Sequence, residues 1–367
     1  MHLWPGLVSG IVVVILGITG CILVFEEQFK NAFFPWLRSE EPAGRSLLPP
    51  SVLYKKVSEA LPGKDIQSVW YHGKEHTAHF TVDADSVVYV DPYSGKVVAM
   101  MSDEDFFHFI DIGHTRLWLP QKIGVQIVGW STFVFFTLLI TGMILWWPKK
   151  WNQKSRDLSF KVRWKARFKK LNYDLHNVFG FYALLVSILF ALTGMIMSFS
   201  WFNKSVFWLA GGETKEYIKP TSDTTYNPQT TMLVQVDKAW KKGMTELGEY
   251  EKDNIIVHFP EKASEAIYVC VDMYHGSWRD IYLDQHTLKQ LPASQGKLKN
   301  EQLGSWIRRS NYGLHLGLFG GLTTQIIFFL GSLICASLPI TGFYIWWGKR
   351  KRTAKKAKAK LVQVEVT

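Results

Sequence analysis

Eleven histidines occur in this 367-residue chain, and four of them stand at the starts of long uncharged stretches. His2 and His176 each precede a Thr-Gly dipeptide by the same 17-residue interval, which ends at Thr19 and Thr193. His114 and His315 precede a second pair of such dipeptides, at Thr141 and Thr341, by 27 and 26 residues. Ionisable side chains at membrane depth are costly and by default mark a functional site. Two imidazoles facing each other across a helix bundle are what bis-histidine haem ligation requires. Spacing alone leaves a metal ion open as well as haem, although zinc would usually bring in Cys, Asp or Glu, and these stretches offer few. For any one of the four, the competing reading is an interfacial histidine bonded to lipid headgroups or loops. Four in a symmetric arrangement favour ligation. Gly6, Gly180, Gly317, Gly320 and Gly321 would let a flat macrocycle come close to the helix backbones.

The elements that would carry these histidines follow from charge and hydropathy. Residues 3–25, 123–148, 175–203 and 310–348 contain no Asp, Glu, Lys or Arg. Each exceeds the ~20 residues needed to cross a hydrocarbon core. The expected spans are 3–25, 121–147, 175–200 and 318–347, and a cleaved signal peptide fits the first poorly. It has no basic start, and Cys21 to Phe25 continue the apolar run where small residues would mark a cleavage site. The loop 148–173 holds ten Lys or Arg against Asp157, and the tail 348–367 holds eight against Glu365. Basic segments stay inside, so both termini are expected in the cytoplasm, in a multi-pass arrangement. Segments 26–113 and 201–312 then lie outside. Trp146-Trp147 and Trp346-Trp347 sit where an interfacial belt belongs. The pI of 9.3 is thus a topology signal rather than a nucleic-acid footprint. In this arrangement His2 and His176 approach the cytoplasmic face, and His114 and His315 the outer one.

The two halves of the chain resemble each other. Thr141-Gly142 leads to Trp146-Trp147 and a basic run, as Thr341-Gly342 leads to Trp346-Trp347 and another. Each outer segment reads as one helix and a small antiparallel sheet. In the first, 51–61 is amphipathic, and alternating runs at 68–71, 78–82, 86–90 and 96–100 are broken by the turn signal Asp91-Pro92-Tyr93-Ser94-Gly95. In the second, 230–242 is the helix and 255–259, 266–272 and 281–284 are the strands. The fold class expected is a four-helix membrane bundle with two extracytoplasmic α+β domains and an internal two-fold repeat.

His2-Leu3-Trp4-Pro5-Gly6 followed by Thr19-Gly20 and a Val24-Phe25-Glu26 exit resembles the first helix of the PepSY-associated transmembrane family. His114-Thr115-Arg116-Leu117-Trp118-Leu119-Pro120, then Ile127-Val128-Gly129 and the Thr141 to Trp147 ending, resembles its second. Asn172-Tyr173-Asp174-Leu175-His176 resembles the start of its third, and the likeness covers nearly the whole chain. His2 follows Met1 directly, where members of that family usually carry a short basic segment. The resemblance implies PepSY-like outer domains and a relationship to haem-containing ferric-siderophore reductases. It implies one or two haem b groups, with His114 and His315 as the outer ligand pair and His2 and His176 as the inner pair. The implied activity is an oxidoreductase passing electrons from quinol or a cytoplasmic reductase to a ferric siderophore or other ferric chelate. The alternative is a membrane-anchored PepSY regulator of the peptidase-inhibitor type, without redox activity.

Other residues favour plainer readings. His72, His76 and His79 suggest a metal-binding or iron-docking patch, but Gly73-Lys74-Glu75 reads as a hairpin turn and strand geometry would turn His76 and His79 to opposite faces. His108 fits an interfacial residue among aromatics better than the mouth of a haem site. Met195 and Met197 suit packing rather than axial ligation. Trp118, Trp130 and Trp306 suit a belt, and Asp103-Glu104-Asp105 a solvated loop. Cys21, Cys270 and Cys335 form no CxxC or CxxCH, which excludes covalent haem attachment. No nucleotide-binding loop occurs. The spans also lack the acidic residues that a transporter of a metal or its chelate would use.

Overall fold

Apolar runs of this length must satisfy their backbone internally, and they do so as helices. A computed structural model describes residues 2–83, 86–102, 104–212, 220–225, 230–247, 254–271, 278–294 and 302–364, with backbone only from 351 onward. Asp103 and Glu365 of the sequence reading lie outside the described residues. In chain order the helices used below are α1 (Leu3–Leu23), α2 (Pro50–Ala60), α3 (Phe106–Arg116), α4 (Gln121–Trp146), α5 (Phe168–Asp174), α6 (Leu184–Ser198), α7 (Met232–Glu246), α8 (Leu303–Leu316) and α9 (Gly321–Val364). The chain divides into two units. One comprises Met1–Phe25, Phe109–Asn203 and Leu314–Thr367; the other comprises Glu26–His108 and Lys204–Gly313.

In the first unit, Leu3–Leu23, Gln121–Trp146 and Leu318–Arg350 are each long and apolar enough to cross a membrane. Phe168–Tyr182 and Leu184–Ser198 pass the same test as a pair bent by 64°, so the spans number three, or four if the pair is one. The bend departs from the straight helix expected over 175–200. Its cause is local. Leu175–Phe179 is a π-helical turn, which widens the backbone ladder. A three-residue turn of α-helix follows, and the Ala183 carbonyl then accepts from both the amide and the hydroxyl of Ser187, each at 2.8 Å. Such back-bonding by serine bends helices.

Small residues set how closely the helices approach. A Cβ on Gly17 of α1 would lie 2.8 Å from the Ala336 Cβ and 2.9 Å from the Ser332 carbonyl oxygen of α9. The Ser332 hydroxyl donates to the Gly17 carbonyl at 2.9 Å, and Gln325 Nε2 donates to the Val24 carbonyl at 3.0 Å. On the other side of the bundle, Gly129 of α4 meets the Phe199 ring, and Gly331 of α9 meets Val186 of α6.

The second unit carries one antiparallel sheet of strands β1 (Ile66–Tyr71), β2 (Ala78–Val82), β3 (Ser86–Val90), β4 (Val97–Ser102), β5 (Ile255–His258), β6 (Ile267–Val271) and β7 (Arg279–Leu283). The order is β4-β3-β2-β1-β5-β6-β7. Strand and helix positions follow the alternation and turn signals closely. The association differs from one small sheet per segment: β1 pairs with β5, Val69 opposite Val257, and the two segments share a single sheet. Separate sheets would each leave a central strand with unpaired backbone groups along an edge, and joining them removes both edges. One face buries Val69, Phe80, Val88, Val257, Val269 and Ile281 in a common core with Leu53 and Val57 of α2 and Val236 and Trp240 of α7. A Cβ on Gly243 would sit 2.5 Å from Val269, so α7 lies directly on the sheet. Asp237 of α7 accepts from the amide and hydroxyl of Ser51 at 2.8 and 2.6 Å, which places its charge at the amino end of α2.

Each segment closes its last hairpin on an aspartate. Asp91 accepts from the Tyr93 amide and the Ser39 and Ser94 hydroxyls, and Asp284 from the amides of Asp223, His286 and Thr287. Burial alone would raise both carboxyls, but these donors outweigh it and hold them below the ordinary carboxylate range. A carboxyl depressed on folding stabilises fully above its unfolded value of about 3.9 and loses that contribution as pH falls through the folded value. The double variant D91N/D284N should therefore flatten the acid limb of the stability curve by losing stability at neutral pH while changing little at the acid end. Unfolding monitored by circular dichroism between pH 2 and 7 checks this. In the helical unit, Gly17→Val should lower thermal stability in detergent by about 1–3 kcal/mol, because backbone and Ala336 block the new side chain.

Candidate functional site

Four histidines meet four threonines. His2 Nδ1 lies 2.8 Å from the Thr141 hydroxyl, and His114 Nδ1 lies 2.9 Å from that of Thr19. His176 Nδ1 lies 2.9 Å from the Thr341 hydroxyl, and His315 Nδ1 lies 2.7 Å from that of Thr193. The exchange is reciprocal: α1 gives His2 to α4 and receives His114 from α3 on Thr19. The helices around His176 and His315 repeat the pattern. In each case the residue after the threonine is a glycine, and a Cβ there would touch Cε1 of the same imidazole. The distances are 3.5 Å at Gly142, 3.4 Å at Gly20, 3.4 Å at Gly342 and 3.8 Å at Gly194. Each ring thus brings its Cε1 edge against the glycine while its Nδ1 is engaged.

The His114 and His315 rings face each other, with centroids 6.0 Å apart and planes at 66°. His176 lies within electrostatic range of His2. The structure therefore brings together the outer pair expected from sequence, and holds each inner histidine on its own threonine. The threonines themselves carried no role in the sequence reading, where the Thr-Gly dipeptides served only to align the two halves. Their constant spacing from the histidines was the available signal.

The supports are local and specific. His176 sits in the π-helical turn, where backbone widening is frequently found at functional sites. Two residues earlier, Asp174 is fully buried and pairs with the Arg163 guanidinium, whose Nε donates to it at 2.7 Å. Asn172 Nδ2 donates to the Thr341 carbonyl at 3.0 Å. His114 ends α3 ahead of an elbow in which Leu117 and Trp118 have φ of +55° and +56°. Side chains are rare in that region, and the elbow is held by Trp118 Nε1 donating to the Phe109 carbonyl at 2.9 Å. His315 ends α8 ahead of Gly317 and Gly321, at +71° and +60°. Gly317, Gly320 and Gly321 thus belong to a backbone turn, and at Gly6 and Gly180 a Cβ would meet Leu138 and Leu338 at ordinary contact distance.

The remaining candidates fall elsewhere. His76 Nδ1 contacts the Leu37 carbonyl, whereas His72 Nε2 and His79 Nδ1 lie 2.8 Å apart, so the three do not converge. Burial, with His72 and Lys30 nearby, holds His79 well below the ordinary imidazole range and keeps it neutral. Among the described residues no group of three or more His, Cys, Asp or Glu is arranged to hold a metal ion. Met195 is buried in packing and Met197 is half exposed. The amide of His108 caps onto Asp105. Trp130 packs on Phe133 and Phe199, and Trp306 is partly exposed.

Removing one partner of a buried ion pair costs about 3–5 kcal/mol. With Arg163 34% exposed, Asp174→Ala should fall near the lower end, destabilising the bundle by about 3 kcal/mol. Thermal unfolding in detergent reads this, and an unchanged midpoint would remove Asp174 from the support of His176.

No curated protein matches the chain. The family model described as PepSY-associated TM region matches residues 1–349, nearly the full length. With several apolar helices and that match, the chain is a membrane protein and belongs to the PepSY-associated transmembrane family.

Proposed function

We propose that this protein carries electrons across a bacterial inner membrane on haem b and delivers them to a ferric siderophore or other ferric chelate outside. The reading takes the bent pair as one span, giving four spans related by an internal two-fold repeat, with both termini cytoplasmic. The basic loop 148–173 and the basic tail support that orientation. Quinol or a cytoplasmic reductase would be the donor, since the chain has no nucleotide-binding loop.

The observation that carries the reading is the His114–His315 pair. Metal–nitrogen bonds run about 2.0–2.1 Å, so two imidazoles this near could hold one ion between them. The observed separation is 6.0 Å. The donor set suits haem iron better than zinc, because among the described residues no Cys or carboxylate joins the two imidazoles. His114 and His315 would hold one haem, and His2 and His176 a second. When bound, the group supplies one-electron iron chemistry. The chain's own residues aim the imidazoles, surround them with apolar helix and exclude water, which together set the potential.

The test is the absorption spectrum of detergent-purified protein, oxidised and then dithionite-reduced, with a pyridine haemochrome count. A low-spin b-type spectrum with two haems per chain is expected. His114→Ala and His315→Ala should each remove the outer haem from protein that still inserts. Unchanged haem content in both would sink the assignment. Colourless wild-type protein, expressed with haem available, would instead favour the anchored PepSY regulator.

A further inference from the structure

We propose that Thr19, Thr141, Thr193 and Thr341 are positioning residues that fix each imidazole in its Nδ1–H form, so that Nε2 alone offers a lone pair to a metal. The bearing on haem rests on the function proposed above; the tautomer does not.

The argument is a count of protons. A threonine hydroxyl has one to donate. Thr19 is 2.7 Å from the Ile15 carbonyl, Thr141 is 3.0 Å from that of Thr137, Thr193 is 2.5 Å from that of Leu189, and Thr341 is 2.9 Å from that of Ser337. All four hydroxyls are therefore folded back one turn along their own helix. A second carbonyl lies at 3.0–3.2 Å in each case, so the proton stays on the helix even if it shifts between the two. The oxygen then faces Nδ1 only as an acceptor, and Nδ1 must bring the hydrogen. The opposite tautomer would place an Nε2–H donor in an apolar span, with the Nδ1 lone pair turned toward an oxygen that has no proton for it.

The choice of threonine has a further consequence. A metal-bound histidine commonly donates its other N–H to a carboxylate or a carbonyl, and the stronger the acceptor, the more basic the ligand becomes. A hydroxyl is a weaker acceptor than a carboxylate. It fixes orientation while leaving the imidazole close to neutral, and it adds no charge to an apolar span. The neighbouring glycine leaves room for the Cε1 edge of the ring beside the threonine.

The primary test uses haem-free protein in lipid, labelled with [15N]histidine and observed by magic-angle-spinning NMR. Single variants Thr19→Val, Thr141→Val, Thr193→Val and Thr341→Val assign the signals. The expected result is that four imidazoles are protonated at Nδ1, and that each valine variant shifts only its own histidine toward a mixture. Protonation at Nε2 in wild-type protein would overturn the proposal. The second test uses haem-loaded protein. Thr19→Val and Thr193→Val should weaken haem binding on the order of 10–100-fold. They should also move the outer midpoint to higher potential, and Thr19→Ser and Thr193→Ser should restore both. Valine variants with wild-type tautomer, affinity and potential would sink it. If wild-type protein takes up no haem, the function proposed above fails, and the NMR result still decides the tautomer.

Discussion

An imidazole inside an apolar span has two nitrogens to satisfy and no water to do it. Leaving either in hydrocarbon without a partner costs several kcal/mol. For Nδ1 the helical unit meets that constraint four times with the same device, a threonine hydroxyl on a neighbouring helix. The hydroxyl is available there because its own proton is already used along its helix. Much else follows from that contact. The next residue is glycine because the ring rests on it, and the helices exchange histidines in couples because each ring must find a threonine on a neighbour.

Close approach of α1 and α9 serves the same end. Gly17 against Ala336, with the Ser332 hydroxyl on the Gly17 carbonyl, fixes the height of Thr19 relative to α9. Gly20 is wedged between Ser332 and His114, so the helix contact and the histidine contact share one residue. Next to the basic loop, Trp146 stacks on Phe181 with centroids 3.9 Å apart and donates to the Ser159 carbonyl. The tryptophan pairs that read as a membrane belt therefore include one that packs inward.

The spans, the strands and the four histidines were legible because each is written locally. A charge-free run, a two-residue alternation or an Asp-Pro-x-Ser-Gly turn needs no distant partner to be recognised. Features that depend on partners were not. The strands at 66–71 and 255–258 each looked like part of their own small sheet, and nothing in either run announces the other. The bend at Ala183 arises from one widened turn and a serine, in a stretch whose composition suits a straight helix. Leu117 and Trp118 carry side chains in a conformation that glycine usually takes, so no sequence rule marks the elbow before His114. The threonines were visible, but their use could be seen only once two helices lay side by side.

The β1–β5 ladder has a consequence for how the protein is made. Strands β1 to β4 leave the ribosome long before residue 255 does, and until then β1 has one side of its backbone bare. Its neighbours are local in sequence and form quickly, whereas its last partner must wait until helices α3 to α7 have been synthesised. During that interval the bare edge is a template for any extended chain, including another copy of itself. A chain that stops before β5 would carry the same exposed edge permanently. The first half of this protein, for all its likeness to the second, is therefore not a self-sufficient piece but an incomplete sheet awaiting its other side.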